Sequence, residues 1–265
     1  MNNVLLAFLL SLMAGLSTGI GSLITFITNR KNTNFLAMSL GFSAGVMVYV
    51  SLVELLPEAQ GLLSVRLGNQ IGQIAAVFSF FAGMILAGAI DKILPDDRNP
   101  HEIRQLEKAK VTNTNQKGLM RTGIITAVAI TIHNFPEGIA TFVSVLHDPS
   151  VALPIVLAIA LHNIPEGISV AVPVYYATNN RRKAIMYSFA SGLAEPLGAI
   201  AAYFVLYPFL NENIYGVLFA MIAGIMVFIS FDELLPSARE YGEHHLSIYG
   251  MVAGMVVMAI SLILL

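Results

Sequence analysis

Apolar runs of roughly 20 residues, the length needed to cross a hydrocarbon core, recur eight times along this chain. They fall at approximately 4–28, 35–56, 71–91, 121–146, 151–174, 184–207, 214–235 and 246–265. The pattern predicts an all-α integral membrane protein with eight transmembrane helices. The longest polar connection, about 92–120, contains no recognisable domain, and nothing else reads as an interdomain linker. One membrane domain over 1–265 is therefore expected. The first run is too long for a signal peptide, and no basic residue precedes it, so it reads as a retained span.

Charge placement orients these spans. Every lysine and arginine except Arg66 falls in an odd-numbered connection: Arg30 and Lys31, then Lys92 to Arg121, then Arg181, Arg182 and Lys183, then Arg239. The positive-inside rule puts both termini outside and the 92–120 loop in the cytoplasm of a multi-pass protein of the inner (plasma) membrane. Composition agrees with a chain solvated by lipid: 56% hydrophobic, 11% charged, mean hydropathy +0.75, against roughly a quarter charged for a soluble domain. A net charge of -2 gives no hint of a nucleic-acid partner. With no cysteine, disulfides, thiolate metal sites and cysteine nucleophiles are excluded.

The chain also repeats itself. AGVMVYVSLVELLPEA (44–59) and AGIMVFISFDELLPSA (223–238) share ten of sixteen positions, on spans two and seven. HNFPEGI begins at His133 on span four, and HNIPEGI at His162 on span five. GLSTGIG (15–21) on span one has a fainter echo in GLAEPLG (192–198) on span six. The members of each pair run in opposite directions, so spans 1–3 relate to 6–8 and span 4 to 5 about an axis in the membrane plane. Inverted repeats of this kind mark transporters, with the substrate site near the midplane where they meet. A duplicated scaffold without that role is the plainer alternative, but the repeated segments carry the ionisable residues.

Residues four apart share a helical face, so His133 and Glu137 point one way, as do His162 and Glu166. Asn134 and Asn163 lie about 100° further round their helices, within reach of an adjacent subsite. Pro136 and Pro165 remove the N–H that would bond the carbonyls of Ile132 and Leu161, which exposes polar backbone beside each carboxylate. A carboxylate at mid-bilayer is unfavourable by about 2.5–3.5 kcal/mol, and Glu195 in span six adds a third to Glu137 and Glu166. A lone His–Glu pair in a membrane is as often a hydrogen-bonded contact or proton relay as a metal site. Two copies on antiparallel helices plus Glu195 favour a shared divalent cation. Imidazole, amide and carboxylate donors together suit first-row divalent metals better than magnesium.

HNFPEGIAT, ALHNIPEGISVAVPVYYAT and SGLAEPLGA resemble the ZIP (Zrt-, Irt-like protein) family of divalent-metal transporters, and the likeness covers nearly the whole chain. The resemblance implies a two-metal site. One metal would be held by His162, Glu137 and Glu166, with His133 nearby as a further candidate. The second would be held by Asn134, Asn163 and Glu195, with Glu137 and Glu166 bridging. It also implies Zn2+, with Fe2+, Mn2+ and Co2+, as transported substrates rather than prosthetic groups, and a homodimer as a partner arrangement. Uptake into the cytosol is then the expected function. No phosphate-binding loop motif occurs, so coupling to ATP is unsupported.

Further acidic residues are candidates for the route: Glu54 and Glu58 near the outer end of span two, Asp232 and Glu233 near the inner end of span seven. His147 and Asp148 outside, and Glu243, His244 and His245 inside, read as solvated connections, and His101 has no assigned role. Two rival functions use the same residues. An intramembrane metallo-hydrolase would activate water on the metal, although H-E-x-x-H is missing. A proton-coupled carrier of an organic solute would use the glutamates as proton sites.

Overall fold

A computed structural model describes residues 3–27, 33–93, 116–241 and 244–264. Among the described residues the chain is helical throughout, with no strand. The first span is α1 (Asn3–Ile27); the second is α2 (Thr33–Val50), a π turn (Ser51–Leu55) and α3 (Leu56–Leu67). The third is α4 (Asn69–Ile93), entered from α3 through Gly68 at φ +82°, a left-handed conformation that glycine adopts without strain. The fourth and fifth are the long helices α5 (Gln116–His147) and α6 (Pro149–Thr178). The sixth is α7 (Arg181–Gly192) with α8 (Ala194–Val205). The seventh is α9 (Glu212–Ile229), a second π turn (Ser230–Leu234) and α10 (Leu235–Tyr241). The last is α11 (His244–Leu264).

Seven of the eight expected spans are helices long and apolar enough to cross a membrane. The eighth, α5, has 32 residues and reaches about 48 Å at 1.5 Å per residue, well beyond a core of about 30 Å. Of the basic connection, Lys92 and Ile93 end α4 and residues 116–120 begin α5; residues 94–115 with His101, and Arg30, Lys31 and Glu243, lie outside the described residues.

Two groups of helices pack together. In one, α1 lies on α6, α7 and α8, and α5 lies on α6 and α8; in the other, α2 lies on α11, and α4 lies on α3 and α9. Contacts of α2 with α6 and of α5 with α9 join the groups. Burial ranks the helices from centre to edge: 72% of the span in α6 is inside the protein, against 17% for α4 and 22% for α11. The outer helices present large apolar side chains such as Phe78, Ile85 and Ile263 to their surroundings, as lipid requires.

Helix backbones touch where glycine allows it. A Cβ at Gly138 would collide with the carbonyl of Glu195, and one at Gly167 with the carbonyl of Thr18. These crossings bring α8 against α5, and α1 against α6, at the level of the glutamates. The two π turns occupy matching positions in the 44–59 and 223–238 segments. Pro57 and Pro236 explain them: each lacks an N–H, and its ring crowds the carbonyl four residues back. The helix widens instead, with the Leu56 N–H donating to the Ser51 carbonyl and the Leu235 N–H to the Ser230 carbonyl. Glu54 and Glu233 sit on these wide turns.

Candidate metal centre

Pro136 and Pro165 lie inside unbroken helices, and their two HN-x-PEG segments converge at the contact of α5 with α6. One ligand atom from each of Glu137, His162 and Glu166 falls within 4.8 Å of the other two. His162 Nε2 lies 3.1 Å from Glu137 Oε1. All three side chains are buried, as are Asn134, Asn163 and Glu195.

The asparagines extend this cluster. The Asn163 amide donates to Glu195 Oε1 on α8 and to the Ala14 carbonyl on α1, at 3.0 Å for the latter. That leaves Asn163 Oδ1 without a partner. One corner of the Asn134 amide lies 3.2 Å from Glu166 Oε2 and 3.1 Å from the Ile130 carbonyl oxygen. The other corner faces Thr18 Oγ1 at 3.5 Å and the Ser191 carbonyl at 3.4 Å. With its nitrogen on that corner, Asn134 donates to Glu166 Oε2 and to the Ile130 carbonyl; with its oxygen there, it would be free to act as a cation ligand beside Glu166.

Counting acceptors gives the chemical character of the pocket. Glu137 Oε2, Glu166 Oε1, Glu195 Oε2 and Asn163 Oδ1 are all buried and have no hydrogen-bond partner among the described residues. An unmet buried polar group costs about 1–3 kcal/mol, and more when charged. Four such oxygens on three touching helices, with an imidazole beside them, form a donor set suited to a divalent metal. Glu195 also lies within electrostatic reach of Glu137 and Glu166, so one positive charge acts on all three carboxylates.

His133 behaves differently. Its Nδ1 is 2.7 Å from Glu233 Oε2, on the second π turn. Both side chains line a cavity of about 350 Å3 together with Asp91 and Asp232; the remaining walls are apolar, from α4, α5 and α9 and from Leu206 at the end of α8. His133 thus lies outside the Glu137–His162–Glu166 group, though within electrostatic reach of Glu137, and pairs with an acidic residue singled out along the route, Glu233, in a cavity that Asp232 also lines. Glu54 is half-buried on the first π turn, beside Glu58. Glu58 Oε1 lies 3.3 Å from His147 Nε2, so His147 is no solvated connection. His245 lies against Tyr249 with ring centroids 6.2 Å apart.

Asp91, and the Thr18, Ser191 and Ala14 groups that hold the asparagines, are absent from the sequence reading. Thr18 could have been found, since it aligns with Glu195 in the GLSTGIG and GLAEPLG echo. The backbone acceptors carry no sequence signal.

Comparison with known proteins decides the family. Residues 91–262 match the family described as ZIP Zinc transporter. The chain belongs to the ZIP zinc transporter family. Relatives named "Zinc transporter ZupT" match it from end to end. The Streptococcus mutans protein is 57% identical over 258 residues, covering 97% of both chains. The Oceanobacillus iheyensis protein is 57% identical over 267 residues and 100% of both. That of Clostridium perfringens is 55% identical over 277 residues, covering 100% of this chain and 97% of its own. A ZIP protein is a transporter rather than an enzyme, and the metallo-hydrolase reading falls with that assignment.

Proposed function

We propose that this ZIP protein takes up zinc, and other first-row divalent cations with it, through the buried cluster of Glu137, Glu166, Glu195, His162, Asn134 and Asn163. The observation that carries the reading is the set of four partnerless buried oxygens at the meeting of α5, α6 and α8. A dication is the group that satisfies them together. His162, Glu137 and Glu166 would form the first subsite. Asn134, Asn163 and Glu195 would form the second, with the two HN-x-PEG carboxylates shared.

Release follows the His133 side. Glu233 and His133 stand between the cluster and the cavity bearing Asp91 and Asp232, so a cation leaving Glu137 meets the imidazole and then three carboxylates. With both termini outside, Asp91 and Asp232 would lie at the cytosolic end of that cavity. An inside-negative potential then favours entry of a dication by about 4.6 kcal/mol per 100 mV. Alternating access would come from motion of the α1, α5, α6, α7 and α8 group against the other. The packing supports the inverted-repeat reading: α1 on α6 answers α8 on α5, and α2 on α11 answers α9 on α4. A homodimer in the inner membrane is part of the same proposal.

Radiolabelled zinc uptake into proteoliposomes tests it. Glu137→Ala and Glu166→Ala should each abolish uptake by correctly folded protein. Wild-type rates in both variants would mean that the ligands have been misassigned.

A further inference from the structure

Serine and threonine inside an apolar helix usually return the hydroxyl to a carbonyl three or four residues back. Ser11 does so to Ala7 at 2.9 Å, Thr131 to Ala127 at 2.7 Å, Ser169 to Glu166 at 2.7 Å and Ser230 to Met226 at 2.7 Å. Thr141 and Ser144 on α5 do not. Both residues are wholly buried, and neither hydroxyl has a partner among the described residues. An unmet buried hydroxyl is a net loss wherever it occurs, and these two lie in succession on one helix.

Their position suggests the reason. Glu137, Thr141 and Ser144 are spaced four and three apart, which is one face of a helix. That face runs from the metal cluster toward the end of α5, where His147 Nε2 meets Glu58 Oε1 of α3 at 3.3 Å. The His147 ring also packs on Tyr215 and Phe219 of α9, with centroids 4.9 and 5.7 Å away. Since α5 belongs to one helix group and α3 and α9 to the other, this contact ties the groups together over the end of the track. The cavity at His133 reaches none of these residues. The side bearing Thr141, Ser144 and His147 is thus covered in this structure by a contact between the two helix groups.

We infer that Thr141 and Ser144 line the outer access route of the metal, and that the His147–Glu58 contact is its closed mouth. On that route the two hydroxyls replace water molecules shed by a divalent cation on its way to Glu137. The identity of the cargo rests on the function proposed above; the route itself is testable without transport.

The chain contains no cysteine, so Thr141→Cys and Ser144→Cys each introduce a sole thiol. In sealed vesicles with the His147 side outward, a membrane-impermeant methanethiosulfonate reports access from that side. Ser144→Cys should react about tenfold faster once Glu58→Ala or His147→Ala is added, each of which removes one hydrogen-bonded contact, and zinc chloride should slow the reaction. Reactivity no greater than that of Phe78→Cys on an outward-facing surface, with and without the mouth substitutions, would overturn the inference. If the cysteine variants fail to assemble, Thr141→Val and Ser144→Ala decide the matter. Zinc uptake should fall about three- to tenfold, with equilibrium zinc binding in detergent unchanged; unaltered uptake by both overturns the route. Glu137→Ala uptake tests the metal site separately, so either proposal can fail while the other stands.

Discussion

His133 and His162 open the same motif on two antiparallel helices, yet they face different chemistry. His162 turns to Glu137, 3.1 Å away, inside the metal cluster. His133 turns to Glu233, 2.7 Å away, at the cavity. Their counterpart glutamates diverge as well: Glu233 and Glu54 occupy equivalent places on the two π turns, but Glu233 is buried against an imidazole and Glu54 lies beside Glu58. Segments of closely similar sequence therefore take different partners in one molecule. The lesson is that one motif can take a partner inside its own helix group in one copy and a partner across the groups in the other.

The comparison breaks most sharply at His162. His162→Ala should lower equilibrium zinc affinity about 10–100-fold, whereas His133→Ala should leave it within about threefold and slow uptake instead. Calorimetric titration with zinc, set beside uptake rates, checks both; equal losses of affinity would erase the distinction. Next in size is the effect of zinc on stability. At 100 times its dissociation constant the metal should stabilise the folded protein by about 2.7 kcal/mol, visible as a higher Tm in detergent. Glu137→Ala should remove that rise. Glu233→Gln should then cost uptake about tenfold by removing the charge that faces His133, with little change in binding. Its repeat partner supplies the smallest effect. Glu54→Gln should change uptake less than about twofold, because a half-exposed carboxylate without an imidazole partner contributes little. A larger effect of Glu54→Gln than of Glu233→Gln would reverse the roles assigned to the two turns.

Much of this was legible from the amino-acid order, because lipid makes polarity costly. Every ionisable residue inside an apolar run had to have a use, which is how Glu137, Glu166, Glu195 and the two histidines stand out. The spans follow from the same cost. What local pattern cannot carry is the partner across helices. Glu233 lies 100 residues from His133 in the chain, and its approach depends on a π turn invisible in hydropathy. Ala14 and Ser191 act through backbone carbonyls, which every residue has. Nothing in the sequence sets Thr141 and Ser144 apart from other small residues; it is their hydroxyls, without a partner among the described residues, that do so.

The crossing at Gly138 ties two properties of this protein together. The backbone that fills the space beside Gly138 is that of Glu195 itself, so the helix junction and the position of that carboxylate form a single mechanical unit. A methyl group added at Gly138 would push the ligand aside as well as the helix. Redesign toward another cargo is therefore better attempted by exchanging donor side chains than by shifting helices, since any wedge between α5 and α8 detunes the cradle before it can widen it.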